Sequence, residues 1–182
     1  MCSAPGPAVS AASFIASASE GWAWQVSAMG RNKRVLDALA RLDPKRIVPV
    51  PAEGGQNAAK EIVAAADGAD VVLDAVGATD DATSTMNAIR ALGPGGTAVL
   101  VGGVNSELSI HYLSILNKEM TLCGSIWFPR SAAAEMLAMI ACGAVDLGPL
   151  SVRRFPLDQV NEALAAAVEE RRSGLKHIAL VP

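Results

Sequence analysis

"DVVLDAVG", residues 70–77, and "GGTAVLVGG", residues 95–103, decide the fold of this 182-residue chain. Each is a run of β-branched and other apolar residues that stops on glycine. Such runs lack the polar alternation of a half-exposed strand. Both faces must be covered, as in a parallel sheet between two helical layers. Glycine at the carboxyl end of such a strand lets a ligand approach the backbone closely. Gly77, Gly102 and Gly103 therefore mark a candidate rim, with Ala75, Val76 and Val104 beside them.

Outward from these runs, strand and helix patterns alternate. Asn32 is placed to cap a helix with Val35, Leu36, Leu39 and Leu42 inward, and Pro44 ends it. "RIVPV" (residues 46–50) is a short strand, and residues 56–66 have a helical face of Ala59, Ile62, Val63 and Ala66. Thr79 or Asp80 caps the next helix, with Ala82, Met86 and Ile89 inward and Gly93 and Pro94 closing it. "MTLCGSI" (residues 120–126) is another strand, and Ser131 caps a helix that runs to Cys142 and stops at Gly143. Four alternations predict right-handed crossovers and an α/β, doubly wound parallel sheet of Rossmann type.

The two ends differ from this pattern. "LSVRRFPL" is a strand entering a turn, and Asp158 caps a helix bearing Val160, Ala163, Leu164, Ala167 and Val168. "KHIALVP" then forms a terminal strand, so this unit either closes the sheet or belongs to a second domain. Residues 1–29 carry one charge, Glu20, and are rich in Ala and Ser. They read as irregular, except that "WAWQVSA" from Trp22 alternates as a strand does. The style changes abruptly at Gly30, as it would if the preceding residues came from a shifted frame or an alternative start.

Composition excludes several classes. With 51% hydrophobic residues the chain can bury a sizeable core. A net charge of −3 and a pI near 5.4, with "RNKR" as the longest basic run, argue against nucleic acid. Cys2, Cys123 and Cys142 form no CxxC pair, so neither a disulfide framework nor a zinc lobe is supported and a cytoplasmic setting is expected. Cys123 and Cys142 sit in apolar patterns that predict core positions. No apolar stretch reaches the ~18 residues of a membrane span, and no basic n-region suggests secretion. His111 and His177 lack ligand-spaced partners, so no metal is expected. Asp74, inside an apolar run, is expected to bond a neighbouring backbone or loop. No nucleophile triad or P-loop is present.

The blocks "GADVVLDAVG", "ALGPGGTAVLVGG", "MTLCGSIWFPR" and "RFPLDQVNEALAAA…GLKHIALVP" follow one another as they do in the medium-chain dehydrogenase/reductase family. That family includes zinc-type alcohol dehydrogenases and zinc-free quinone reductases. The chain resembles it over residues 30–182, and the order of four blocks is more specific than any one of them. The resemblance implies a partial NAD(P)-binding Rossmann-like domain at residues 30–146. Residues 147–182 would be a C-terminal return into the catalytic domain, with residues 1–29 outside the match. Two departures stand out. No G-x-G-x-x-G occurs, so the first strand and the glycine fingerprint are expected to be missing. The N-terminal catalytic portion, where the family keeps its zinc ligands, has no counterpart either. Pyrophosphate would then lose its helix N-terminus and the dipole behind it. Weak cofactor binding and no zinc are the expectation.

The site that the resemblance implies has three parts. Arg31 and Asn32 follow the presumed second strand, where dinucleotide enzymes discriminate cofactors; an Arg without an acid favours NADP over NAD. Ala75, Val76, Gly77, Gly102, Gly103 and Val104 would line the nicotinamide half. Ser125 and Trp127, followed by Phe128, would lie by the ring, and Lys176 would reach a cofactor phosphate. The bland counterparts are strand-ending glycines, a solvated helix start and packing between domains. A homodimer through residues 120–126 is expected, because a bare sheet edge is a template for pairing. The leading function is thus an NAD(P)-dependent oxidoreductase-family polypeptide that does not transfer hydride alone. A non-catalytic binding or interaction module of the same ancestry is the alternative. A methyltransferase-like sheet ranks last, for want of an acid after the second strand and a Gly-rich loop before it.

Overall fold

A computed structural model describes residues 13–19, 23–51, 60, 68–126, 128–170 and 176–182. Its first elements are an antiparallel pair, β1 (Ser13–Ser19) and β2 (Ala23–Gly30). Helix α1 (Lys33–Leu42) leads to β3 (Ile47–Pro51), which pairs in parallel with β2. Then follow β4 (Ala69–Asp74), α2 (Thr83–Arg90), β5 (Leu92–Leu100), α3 (Tyr112–Lys118) and β6 (Thr121–Gly124). The six strands lie in the order β3-β2-β1-β4-β5-β6. The chain divides into two compact units, Met1–Gly124 and Ser125–Pro182, so the division comes earlier than the sequence division after Asp146.

The strand order is that of a doubly wound sheet, but β1 is antiparallel to both its neighbours, β2 and β4. This corrects two expectations. Residues 13–19 are a strand rather than part of an irregular segment, and the first strand's place is filled rather than vacant. It is filled by a strand of the wrong direction for a phosphate loop. Only three residues of sequence separate β1 from β2, and only an antiparallel strand can be reached so directly. The parallel crossovers β2–α1–β3 and β4–α2–β5–α3–β6 run away from β1 in opposite directions, which for one handedness puts their helices on opposite faces.

Local chemistry explains the elements. Asn32 Oδ1 accepts from the N–H groups of Arg34 (3.1 Å) and Val35 (3.4 Å), capping α1 as expected. Val35 and Leu36 are buried, whereas Leu42, expected inward, is exposed. Helix α2 starts later than the sequence placed it. Thr79 and Asp81 each spend their side chains on an i+2 turn bond, to Asp81 N and Thr83 N, so the helix cannot begin before Thr83. At its far end Lys118 Nζ donates to Leu92 O at 2.6 Å and Arg90 O at 3.4 Å, satisfying carbonyls beyond the last helical bonds. Gly68, with φ +104°, enters β4 so close to the start of β5 that a Cβ there would lie 2.6 Å from Gly93 Cα. Of the helix expected at residues 56–66 only Lys60, which is helical, is among the described residues.

The core of this unit is a cluster that includes Met29, Val50, Val72, Ile89, Leu92 and Ala98, joined by residues of β2, β3, β4, α2 and β5. Ile89 and Leu92 are essentially inaccessible, and each such side chain contributes about 1.5–3 kcal/mol by burial. Cys123, expected in the core, is exposed on β6 at the sheet edge, and Cys142 is exposed just past a helix end.

The second unit contains α4 (Ala132–Ala141), stopped by Gly143 at φ +78°. Ser131 precedes it without a side-chain cap bond. Strand β7 (Ser151–Pro156), a 3-10 turn (Leu157–Gln159), α5 (Val160–Glu170) and β8 (Lys176–Val181) form a parallel βαβ unit with a sheet of its own. Asp158 therefore lies in the turn rather than capping α5. Phe155 packs on Ala163 and Ala166, while Leu164 and Val168, expected inward, are exposed. Small residues let the helix sit close on two strands, which are too narrow to cover a wide apolar stripe.

Candidate functional site

The two glycine-ended runs come together. Strands β4 and β5 pair in parallel from Val71–Thr97 to Asp74–Leu100, and the pairing continues beyond the strand ends. Val101 N donates to Asp74 O at 3.0 Å and Gly103 N to Val76 O at 2.8 Å. A further bridge joins Thr79 to Val104, and Asn105 Nδ2 donates to Asp80 Oδ1 at 3.1 Å. Ala75, Val76, Gly77, Gly102, Gly103 and Val104 thus form one continuous shelf at the carboxyl ends of adjacent strands. This is the position where ligands bind in open α/β sheets.

The shelf's small residues have a structural cause of their own. A Cβ on Gly102 would lie 2.4 Å from Val76 O, and one on Gly103 would lie 3.2 Å from Ala78 N. The two loops approach too closely for side chains between them. The glycines, with no side chains of their own, also let a ligand come close to the backbone from the exposed side, so close packing and ligand approach are compatible here.

Beneath the shelf lies Asp74, only 2% exposed. Its Oδ1 accepts from Val76 N at 3.3 Å and its Oδ2 from Thr85 Oγ1 at 3.1 Å. The bond to the neighbouring Val76 N–H is of the kind the sequence suggested, and the Thr85 bond, which it did not, ties the loop to α2.

Arg31 follows β2, whose carboxyl end lies at the same sheet edge because β2 and β4 are both antiparallel to β1. Its charge reaches Asp81, whose carboxyl is held below the usual value. The Thr83 hydroxyl is the largest cause and the Thr83 N–H the next; burial opposes them slightly and Arg31 adds to them. Asp81 is the rim residue that sequence reasoning missed. Its signal was the Asp-x-Thr spacing of an Asx turn before a helix. An acid thus stands near Arg31, although none follows β2. Asn32, proposed beside Arg31, has its carbonyl oxygen engaged in capping α1.

The remaining candidates are not brought to this shelf by any described contact. Ser125 and Lys176 belong to the second unit, where Lys176 pairs in register with Ser151. Trp127 lies outside the described residues; Phe128 is exposed.

A nicotinamide dinucleotide and a zinc ion fit this chain unequally. The shelf, with Arg31 at its edge, suits the ring and ribose portions of a dinucleotide. The pyrophosphate is less well served, because antiparallel β1 brings its amino end, Ser13, to this rim beside Met29. No helix can then start there from its carboxyl end and present N–H groups. Zinc does not fit: among the described residues no group of three or more His, Cys, Asp or Glu could hold a metal ion.

Residues 11–142 match the zinc-binding dehydrogenase family, so part of the segment before Gly30 lies inside the match and not outside it. The chain is 30% identical over 144 residues to a probable zinc-binding alcohol dehydrogenase of Mycobacterium tuberculosis, covering 78% of this chain and 35% of that protein. The structure resembles 2R,3R-butanediol dehydrogenase from Bacillus subtilis with a TM-score of 0.69 at 22% identity, over 86% of this chain and 43% of that one. It resembles benzyl alcohol dehydrogenase from Acinetobacter calcoaceticus with a TM-score of 0.67 at 19% identity, over 86% and 43% of the two chains. At these identities the structural likenesses show the fold alone. The curated relatives are matched over only 35–41% of their length.

Proposed function

The chain belongs to the zinc-binding dehydrogenase family, and from that premise we propose that it is a nicotinamide-dinucleotide-binding polypeptide that does not catalyse hydride transfer on its own. The observation that carries the proposal is the shelf itself. Two strand ends that are 25 or more residues apart in sequence, as Asp80 and Asn105 are, are stitched into one side-chain-poor surface at the sheet's carboxyl edge.

A bound dinucleotide supplies a nicotinamide ring that accepts or donates hydride. In this reading Gly77, Gly102 and Gly103 let that ring lie against the backbone. Ala75, Val76 and Val104 give it an apolar wall, and Arg31 attracts a 2′-phosphate. The preference is for NADP, with Asp81 opposing Arg31 and keeping the discrimination modest. Anchoring is weak because β1 meets this rim with its amino end and cannot run on into a phosphate loop and helix there. We place the dissociation constant at about 0.1–1 mM, equivalent to roughly −4 to −5.5 kcal/mol.

Hydride transfer also needs a substrate carbon held against the ring and a group that stabilises charge on the substrate oxygen. The described rim offers neither, since its one buried carboxylate, Asp74, is engaged by Val76 N and Thr85. Titration of NADPH and NADH into the purified chain, by nicotinamide fluorescence and calorimetry, tests the reading. Saturable binding that favours NADPH, without consumption of NADPH in the presence of aldehydes, ketones or quinones, is the expected result. No saturation by either cofactor at several millimolar, or turnover that scales with protein, would overturn it. No saturation would leave the non-catalytic interaction module as the better reading.

A further inference from the structure

Away from the shelf, a cleft lies between α2 and α3. It is bounded by α2, the segment before α3, α3 itself and the residue before β6, and has a volume of about 140 Å³. One water occupies ~30 Å³ in the liquid, and a cavity of ~150 Å³ holds a six-carbon ring, so this cleft accommodates a small organic molecule. Its floor is apolar, including Met86, Ile89 and Met120. Its titratable lining is entirely basic: Arg90, His111 and Lys118, with two serine hydroxyls and no acidic side chain among the described lining residues.

That arrangement is unusual for a chain of net charge −3. Arg90 reaches it from the last turn of α2, held by Arg90 Nη1 donating to Asn87 Oδ1 at 3.3 Å. Lys118 donates to Leu92 O and Arg90 O, which fixes its ammonium beside the Arg90 backbone and leaves a proton for another acceptor. Two long basic side chains are thus anchored by neutral partners at the mouth of an apolar hollow. Their charges are not neutralised by those bonds. A ligand that satisfied the whole cleft would carry a compact anionic head and a short apolar body.

We propose that this cleft binds a small amphipathic monocarboxylate, with the carboxylate at Arg90, His111 and Lys118 and about four to six carbons over Met86, Ile89 and Met120. The apolar floor favours such a ligand over inorganic phosphate, which has nothing to bury there. The site is separate from the shelf and stands whether or not a dinucleotide binds.

Hexanoate is the probe, with 1-hexanol as the uncharged control and inorganic phosphate as the control without a tail. Titration of the full chain is followed by calorimetry and by methyl NMR of Met86, Ile89 and Met120, with and without NADPH. Saturable hexanoate binding that shifts these methyls is expected, with hexanol and phosphate each bound about tenfold more weakly or worse. Arg90→Gln is expected to weaken hexanoate by about tenfold, as loss of one charge-assisted hydrogen bond does. His111→Gln, on an exposed residue, gives a second reading should Arg90→Gln disturb α2. The proposal is overturned if hexanoate does not saturate, if hexanol or phosphate binds as well, or if every folded variant binds as the native chain does.

Discussion

Thr85 Oγ1 donates to Asp74 Oδ2 at 3.1 Å, and both residues are buried, at 1% and 2% exposure. This bond ties the end of β4 to the first turn of α2, and through Asp74 Oδ1 it fixes Val76 N at the candidate shelf. Thr85→Val keeps the shape and removes one donor from a buried carboxylate. The expected loss is about 1–3 kcal/mol of stability, read as a lower midpoint in urea. A midpoint unchanged within error would show that another group takes over the role.

Asp74 also shows what a sequence can disclose. A carboxylate inside "DVVLDAVG" must be bonded, because an apolar run of this kind becomes a covered strand, and its partners were expected in the nearby backbone or a loop. The backbone partner, Val76, lies two residues away; the hydroxyl comes from Thr85, eleven residues on, and periodicity alone could not select it. The parallel pairing of β4, β5 and β6 was legible for the same reason, as each run is apolar and ends at a glycine or turn. The direction of β1 was not legible. Residues 13–19 read Ser-Phe-Ile-Ala-Ser-Ala-Ser, with the two large apolar residues, Phe14 and Ile15, adjacent rather than alternating, so their pairing depends on neighbours and on the few residues before β2 rather than on a pattern of their own. Arg31's approach to Asp81 was equally hidden, because it comes from two loops joined only by the strand order.

Gly102 gives a second prediction. A Cβ there would lie 2.4 Å from Val76 O and 3.0 Å from Val76 N, both backbone atoms that cannot move without breaking the extended pairing. Gly102→Ala is expected to cost about 1–3 kcal/mol, the usual range for overpacking, and to disturb the shelf. Gly124→Ala is the control, since nothing lies within 4 Å of its added Cβ. Equal urea midpoints for the two variants would show that the loops give way easily.

Charge at the rim can be tested on Asp81 directly. Thr83→Val removes the hydroxyl that most lowers its carboxyl, leaving the Thr83 N–H bond of 2.9 Å in place, so the titration should rise part-way toward the ordinary value of 3.8. The sign follows from linkage. A carboxyl whose folded value is depressed adds stability above its unfolded value and loses it as pH falls through the folded one. The native chain should therefore be favoured over Thr83→Val above about pH 4, and the difference should fade in more acid solution. Carboxyl NMR titration of both proteins reads the shift, and identical curves would remove Thr83 as its cause.

The same carboxylate bears on cofactor choice. Arg31→Glu should reverse the NADPH/NADH affinity ratio, because a carboxylate repels a 2′-phosphate and accepts ribose hydroxyls. Asp81→Asn should move the ratio the other way, by about two- to fivefold toward NADPH, a range suited to one exposed charge in salt. Ratios untouched by both substitutions would place ribose recognition elsewhere.

The sheet's two edges lead to the last prediction. Strand β3, at one edge, carries Pro49 and Pro51, and proline has no N–H to offer a second chain. Strand β6, at the other edge, reads Thr121–Gly124 without proline, and its exposed residues carry no charge that would repel a copy of itself. One edge is blocked by covalent structure, and at the other no described strand pairs with the far side of β6, so pairing between copies is expected there. Two copies related by a two-fold axis there would run antiparallel and extend one sheet across both. Light scattering at high micromolar concentration should then give a dimer mass. Thr121→Lys, which places like charges on both facing strands, should return the mass to that of one chain. Val48→Lys on β3 should leave the dimer intact, provided its circular dichroism shows the fold retained. A native chain that stays monomeric, or a dimer indifferent to Thr121→Lys, would mean that β6 is not the contact.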